Sequence, residues 1–145
     1  YGNFGQSNYA GAKMAVVGFM NTLKLEGARN NITINALAPL AATRIAEPSG
    51  IFETYDRELV TPEAVAAMVT YLVSEDCTDS GNVIAATAGY YSRIQVMEGD
   101  GVRVDPHEQM TPERISELWP QIVAMENPRG YTDAVENLTA VMAKE

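Results

Sequence analysis

Tyr9 and Lys13 stand four residues apart in the stretch Ser7-Asn8-Tyr9-Ala10-Gly11-Ala12-Lys13. On a helix this spacing puts both side chains on one face, where a phenolic hydroxyl and an ammonium can meet a common small ligand. A tyrosine titrating at about 10 is a poor acid-base catalyst at neutral pH, but a cation held beside a phenol favours the phenolate. A phenol so placed can exchange a proton with an alcohol or a ketone. That is half of a carbonyl-reduction site; the hydride has to come from a cofactor, because no side chain supplies one. Alone, the pair is a weak signal, since the same two residue types meet by chance on many solvated helices. Its context strengthens it: a polar, glycine-bearing loop before it, and the small residues Ala10, Gly11 and Ala12, which would let another backbone or a cofactor come close.

The elements that must position the pair follow from periodicity. Over residues 7–29 the apolar Ala12, Ala15, Val16, Phe19, Met20, Leu23 and the small Gly27 recur at helical spacing, which predicts a long helix with one wide buried face. Asn30 and Asn31 break it, and the β-branched run at 32–38, ended by Pro39, predicts a short buried strand. Residues 40–60 show no period and read as a long loop, a class that is usually functional or disordered. Thr61-Pro62-Glu63 predicts a helix start with a hydroxyl cap, a proline where no N–H is needed and an acid at the positive dipole end, with the helix running to about 74. A second strand is expected at 83–88, a third helix from Thr111-Pro112-Glu113 to about 125, and a fourth over 132–143.

The chain has 145 residues, enough for one core, and a net charge of -9 with a pI near 4.5. Phosphate binding needs clustered Lys and Arg, so nucleic acid is not an expected partner. The apolar runs are too short for a membrane span. Cys77 is the single cysteine, so no intramolecular disulfide is possible; with no apolar leader visible, the expected compartment is a reducing cytoplasm. His107 on a polar loop receives no role, and Trp119, at helical spacing with Ile115, Leu118 and Ile122, is read as core or interface packing.

The Tyr9/Lys13 motif, followed by the helix and then Ile34-Asn35-Ala36-Leu37-Ala38-Pro39, resembles the second half of a short-chain dehydrogenase/reductase. Within that superfamily, the opening Tyr1-Gly2-Asn3-Phe4-Gly5-Gln6, Ala38-Pro39 followed by Thr43-Arg44, and Gly89-Tyr90-Tyr91 resemble the (3R)-hydroxyacyl-CoA dehydrogenase module of multifunctional β-oxidation enzymes. The resemblance implies an α/β fold: the C-terminal half of a doubly wound parallel (Rossmann-type) sheet over residues 1–104, with a helical extension over 105–145. It implies NAD or NADP as cofactor, an acyl-CoA as the small-molecule substrate, and a homodimer formed through the helix edge that carries Phe19, Met20 and Leu23. It assigns Tyr9 as proton donor or acceptor and Lys13 to the nicotinamide ribose hydroxyls. The backbone at and after Pro39, through Leu40, Ala42 and Thr43, would meet the nicotinamide carboxamide.

Two departures qualify the resemblance. Leu40 stands where the family usually has glycine, and threonine comes at Thr43 rather than one place later. The family's glycine-rich pyrophosphate turn and its catalytic serine would lie upstream of Tyr1, so the expected parent is a longer enzyme. The alternative is a truncated, non-catalytic module that keeps only the oligomerisation helix and part of the fold.

Overall fold

The computed structural model describes residues 1–44 and 56–143, which fall into two compact units, Tyr1–Ile94 and Gln95–Glu145. In the first unit the chain enters helix α1 (Ser7–Gly27) through a tight turn. Gly5, at φ 77°, supplies the left-handed residue this turn requires, and Gln6 N–H donates to the Asn3 carbonyl at 3.1 Å. A turn of 3-10 helix (Ala28–Asn30) ends α1, with Asn31 in the left-handed conformation and Ile32 N–H donating back to the Gly27 carbonyl at 3.1 Å. A Cβ on Gly27 would lie 3.2 Å from the Ile32 carbonyl oxygen, so the chain returns close against this glycine.

Strand β1 (Ala36–Pro39) pairs in parallel with β2 (Val83–Thr87), Ala36 opposite Val83 and Pro39 opposite Ala86. The strand expected over 32–38 is therefore shorter at its start and one residue longer at its end. The cause is that Ile34 and Asn35 bond to the turn 79–82 instead of to a ladder. Helix α2 (Pro62–Leu72) crosses between the two strands in sequence, as a parallel pair requires. Its Thr61 hydroxyl makes no capping hydrogen bond, unlike the expectation, although Pro62 and Glu63 occupy the first turn as read.

A third strand, β3 (Tyr90–Ile94), lies beyond the two strands that the sequence predicts. It folds back antiparallel on β2, Thr87 opposite Tyr90, through a two-residue turn with Ala88 at φ 44° and Gly89 at φ 74°. Two successive left-handed residues give the turn whose twist matches a hairpin. Tyr91 hydroxyl donates to the Ala64 carbonyl at 2.9 Å and ties β3 to the start of α2. The sheet order is β1-β2-β3, an α/β arrangement with a parallel pair and an antiparallel edge.

The core of this unit is small: Met20, Val60, Cys77, Val83 and Ala86 are buried. Met20 thus packs within the chain rather than on an outer edge of α1. Phe19 is 65% exposed, and Met14, Val16 and Leu25 are also exposed. An apolar helix open to water on that scale ordinarily has a partner. The β1 edge away from β2 is likewise unpaired among the described residues.

In the second unit, an extended stretch is clamped by a bridge in which Glu98 and Arg129 exchange backbone hydrogen bonds at 2.9 and 2.8 Å. Gly99 lies where any Cβ would overlap the Ala124 carbonyl. Helix α3 (Pro112–Ile122) starts as its sequence dictates: Thr111 Oγ1 accepts from Arg114 N–H at 3.2 Å and Pro112 fills the first position. Backbone hydrogen bonding, and then the Thr111 hydroxyl, hold the Glu113 carboxyl below its ordinary value. Arg114 bridges Glu108 and Glu117 at 2.9 and 3.0 Å, which raises its pKa further; solvent screens exposed pairs of this kind. Helix α4 (Ala134–Ala143) begins after Asp133, whose Oδ1 accepts from Val135 and Glu136 N–H. Leu118 is buried, whereas Trp119 is 56% exposed, so its core-packing role is not realised within this chain. No helix among the described residues is long and apolar enough to cross a membrane.

Three outcomes follow from this packing. Ala88→Gly relieves a left-handed alanine and is expected to raise the stability of the chain by about 1 kcal/mol, read from the urea midpoint. A carboxylate whose pKa is lowered on folding stabilises above its unfolded value and loses that effect as pH falls through the folded one. Glu113→Gln is therefore expected to flatten the acid limb of helicity measured by circular dichroism. Finally, the exposed side of α1 and the free β1 edge predict that the purified chain self-associates in sedimentation; a compact, cooperatively melting monomer would contradict it.

Candidate active site

Tyr9 and Lys13 sit near the N-terminal end of α1, and Lys13 Nζ lies 5.5 Å from the centroid of the Tyr9 ring. Both side chains are exposed, Tyr9 at 57%, and the Tyr9 hydroxyl has no hydrogen-bond partner among the described residues. Local sequence fixes this presentation. Asn8 Oδ1 accepts from Tyr9 N–H at 2.8 Å, and Ala10 N–H donates to the Gln6 carbonyl at 2.8 Å, closing the first helical turn under the phenol. Gly11 faces open space on all sides that a Cβ would occupy. The first turn of a helix is also where negative charge on a bound group is favoured, because unpaired N–H groups converge there.

Pro39, Leu40, Ala42 and Thr43 belong to the other side of the same end. α1 packs along β1 and the chain reverses between them at 28–32. The N-terminal end of α1 and the C-terminal end of β1 both point away from this reversal, and the C-terminal ends of strands are where α/β sheets bind their ligands. Pro39 carries no N–H, so the open edge of β1 stops offering donors there.

The stretch 39–43 is partly spoken for. Leu40 N–H donates to the Ala86 carbonyl at 3.1 Å, and Ala42 N–H to the Val60 carbonyl at 2.7 Å. These two amides are used inside the chain, which leaves carbonyl oxygens and the exposed Thr43 hydroxyl for a ligand. Residues 45–55 of the expected loop lie outside the described residues. Asn35, which received no role from sequence, holds the start of β1 through both ends of its amide. The available signal was a polar amide inside a β-branched run, where strand preference disfavours it.

A nicotinamide dinucleotide tests the fit in two parts. Exposed Tyr9 and Lys13, the open surface at Gly11 and the Thr43 hydroxyl suit the nicotinamide ribose end. For the pyrophosphate, no strand among the described residues leads through a glycine-rich turn into a helix; β2 leads through Gly89 into β3 instead. The residues of this chain therefore fit one end of the cofactor. His107 is exposed, with its N–H donating to Asp105 Oδ1 at 2.8 Å, and no cluster suited to a metal occurs among the described residues.

Residues 1–49 match the short chain dehydrogenase family profile. Over 143 residues the chain is 38% identical to peroxisomal multifunctional enzyme A of Dictyostelium discoideum, covering 99% of this chain and 31% of that enzyme. It is 34% identical to peroxisomal multifunctional enzyme type 2 of Mus musculus, covering 99% of this chain and 20% of that one. The structure of full-length peroxisomal multifunctional enzyme type 2 from Drosophila melanogaster superposes with a TM-score of 0.80 at 30% identity, over 98% of this chain and 25% of that one. The chain thus spans about a third or less of these relatives. Their peroxisomal names overturn the cytoplasmic expectation. Cysteine count reports redox chemistry alone, and peroxisomal import is read by a receptor from a short address, so composition did not discriminate the compartments. Motif, fold and relatives agree that the chain belongs to the short-chain dehydrogenase/reductase family.

Proposed function

We propose that the chain is the proton-transferring segment of an NAD(P)-dependent oxidoreductase that interconverts a secondary alcohol and a ketone, with a 3-hydroxyacyl-CoA and its 3-oxo partner as the substrate pair. The observation that carries this reading is Lys13 Nζ lying 5.5 Å from the Tyr9 ring on an exposed helix face. The names of relatives that match 99% of the chain support a peroxisomal setting. The nicotinamide, when bound, supplies the hydride for reduction or takes it up in oxidation. Tyr9 donates its phenolic proton to the carbonyl oxygen in reduction and recovers it from the alcohol in oxidation. Lys13 keeps a positive charge beside the phenolic oxygen while that proton is away, and donates hydrogen bonds to the ribose hydroxyls. The 39–43 backbone carbonyls and the Thr43 hydroxyl orient the carboxamide. In the intact protein a second copy covers the exposed side of α1 around Phe19, forming a homodimer.

In the full-length parent, Tyr9→Phe removes the proton donor and almost no volume. Turnover of a 3-oxoacyl-CoA is expected to fall by about 10²- to 10⁴-fold, the usual worth of a positioned acid, with dinucleotide affinity kept. Lys13→Ala is expected to lower both. Steady-state rates with a fluorescence titration of the dinucleotide check the pair; near-normal turnover in Tyr9→Phe would overturn the assignment.

A further inference from the structure

At the end of the sheet remote from Tyr9, residues 34–36 are held to the turn 79–82 by side chains as well as by backbone. Ile34 N–H donates to Ser80 Oγ at 2.9 Å, and the Ser80 hydroxyl donates to the Ile34 carbonyl at 3.3 Å. That carbonyl also accepts from Gly81 N–H at 2.7 Å. Asn35 uses its whole amide: Nδ2 donates to the Asp79 carbonyl at 2.8 Å, and Oδ1 accepts from Asn82 N–H at 3.0 Å. Ala36 N–H then donates to the Asn82 carbonyl at 2.8 Å, and the parallel ladder begins.

The same turn meets α1. Gly81 is at φ 85°, and a Cβ there would overlap the side chain of Lys24, which lies across it. Helix, strand and turn are joined at one place. β1 is only four residues long, so few ladder hydrogen bonds of its own hold it in register. A fixed point at its start therefore sets where its last residues fall, and those last residues are the ones that face the ligand.

We propose that Asn35 is a positioning residue, which pins β1 to the turn 79–82 and through that strand sets where the 39–43 backbone stands against the nicotinamide end of the cofactor. The proposal rests on the oxidoreductase reading above. It makes Asn35 act through Leu40, whose N–H reaches the Ala86 carbonyl only in this register.

The test uses Asn35→Ala, Asn35→Asp and the milder Ser80→Ala in the full-length parent, with two readouts. Amide hydrogen exchange is followed at Leu40 and Ala42, and dinucleotide affinity is titrated in the absence of substrate, well below each variant's melting temperature. Asn35→Ala is expected to speed exchange at Leu40 and weaken dinucleotide binding about fivefold, the factor that one net hydrogen bond represents. The KM for the acyl-CoA should stay within about twofold of its original value, since the altered backbone faces the cofactor. Asn35→Asp keeps the acceptor for Asn82 N–H and should recover part of the affinity. Ser80→Ala should show the same direction at smaller size, which keeps the test decisive if Asn35→Ala does not fold. Unchanged dinucleotide affinity in folded Asn35→Ala and Ser80→Ala would overturn the positioning role and leave the oxidoreductase reading intact. A parent that binds no dinucleotide at all would overturn both.

Discussion

The candidate site hangs from the parallel pairing of β1 with β2. Ala36 stands opposite Val83 and Pro39 opposite Ala86, and the ladder is continued by Leu40 N–H on the Ala86 carbonyl. Ala86 is fully buried and is the least accessible point of the unit. Because side chains alternate along a strand, a slip of one residue would turn Ala36 and Leu37 to the opposite faces and move 39–43 by about 3.3 Å. Neither α1 nor the loop beyond Pro39 could keep its relation to the other after such a slip. The hydrogen bonds around Asn35 and Ser80 act at the start of this ladder, and β3 with Tyr91 closes it on the far side.

Against that well-bonded strand pair stands a thin apolar interior. Among the described residues no charged or polar residue is fully buried, so polar desolvation costs this segment little. Yet Phe19, Val16 and Met14 on α1, Val69 and Tyr71 on α2, and Val135, Leu138 and Met142 on α4 remain open to water. Burial of apolar surface is the main driving force of folding, at roughly 25 cal/mol per Å². A segment that leaves this much of it exposed draws less from that source than a complete domain does. The relatives match the same picture, since the segment corresponds to a third or less of each of them.

The chemistry at Tyr9 and Lys13 needs no deep pocket within the segment. A helix N-terminus, a cation 5.5 Å from a phenol ring and an exposed hydroxyl at Thr43 are the groups the candidate site offers. In the reading proposed for it, what this end does is local: it moves a proton and holds a charge. Among the described residues no strand leads through a glycine-rich turn suited to a pyrophosphate. The two aspects agree with a segment that serves the reactive end of a dinucleotide.

Sequence by itself determined the helix of Tyr9 and Lys13, the two parallel strands and the starts of α2 and α3. These features are local: helical period, β-branched runs and the Thr-Pro-Glu start each constrain a few neighbouring residues. The family was legible for the same reason, in the short motifs around Tyr9 and Pro39. Only the tertiary structure decided that Ile34 and Asn35 leave the ladder for the turn 79–82, that Leu40 and Ala42 N–H groups are already used, and that 90–94 folds back as β3. Each of these depends on a partner more than a turn away in sequence, some more than forty residues away, or on left-handed backbone at Ala88, a residue type that does not announce it. The compartment was not legible at all, since composition does not carry an address.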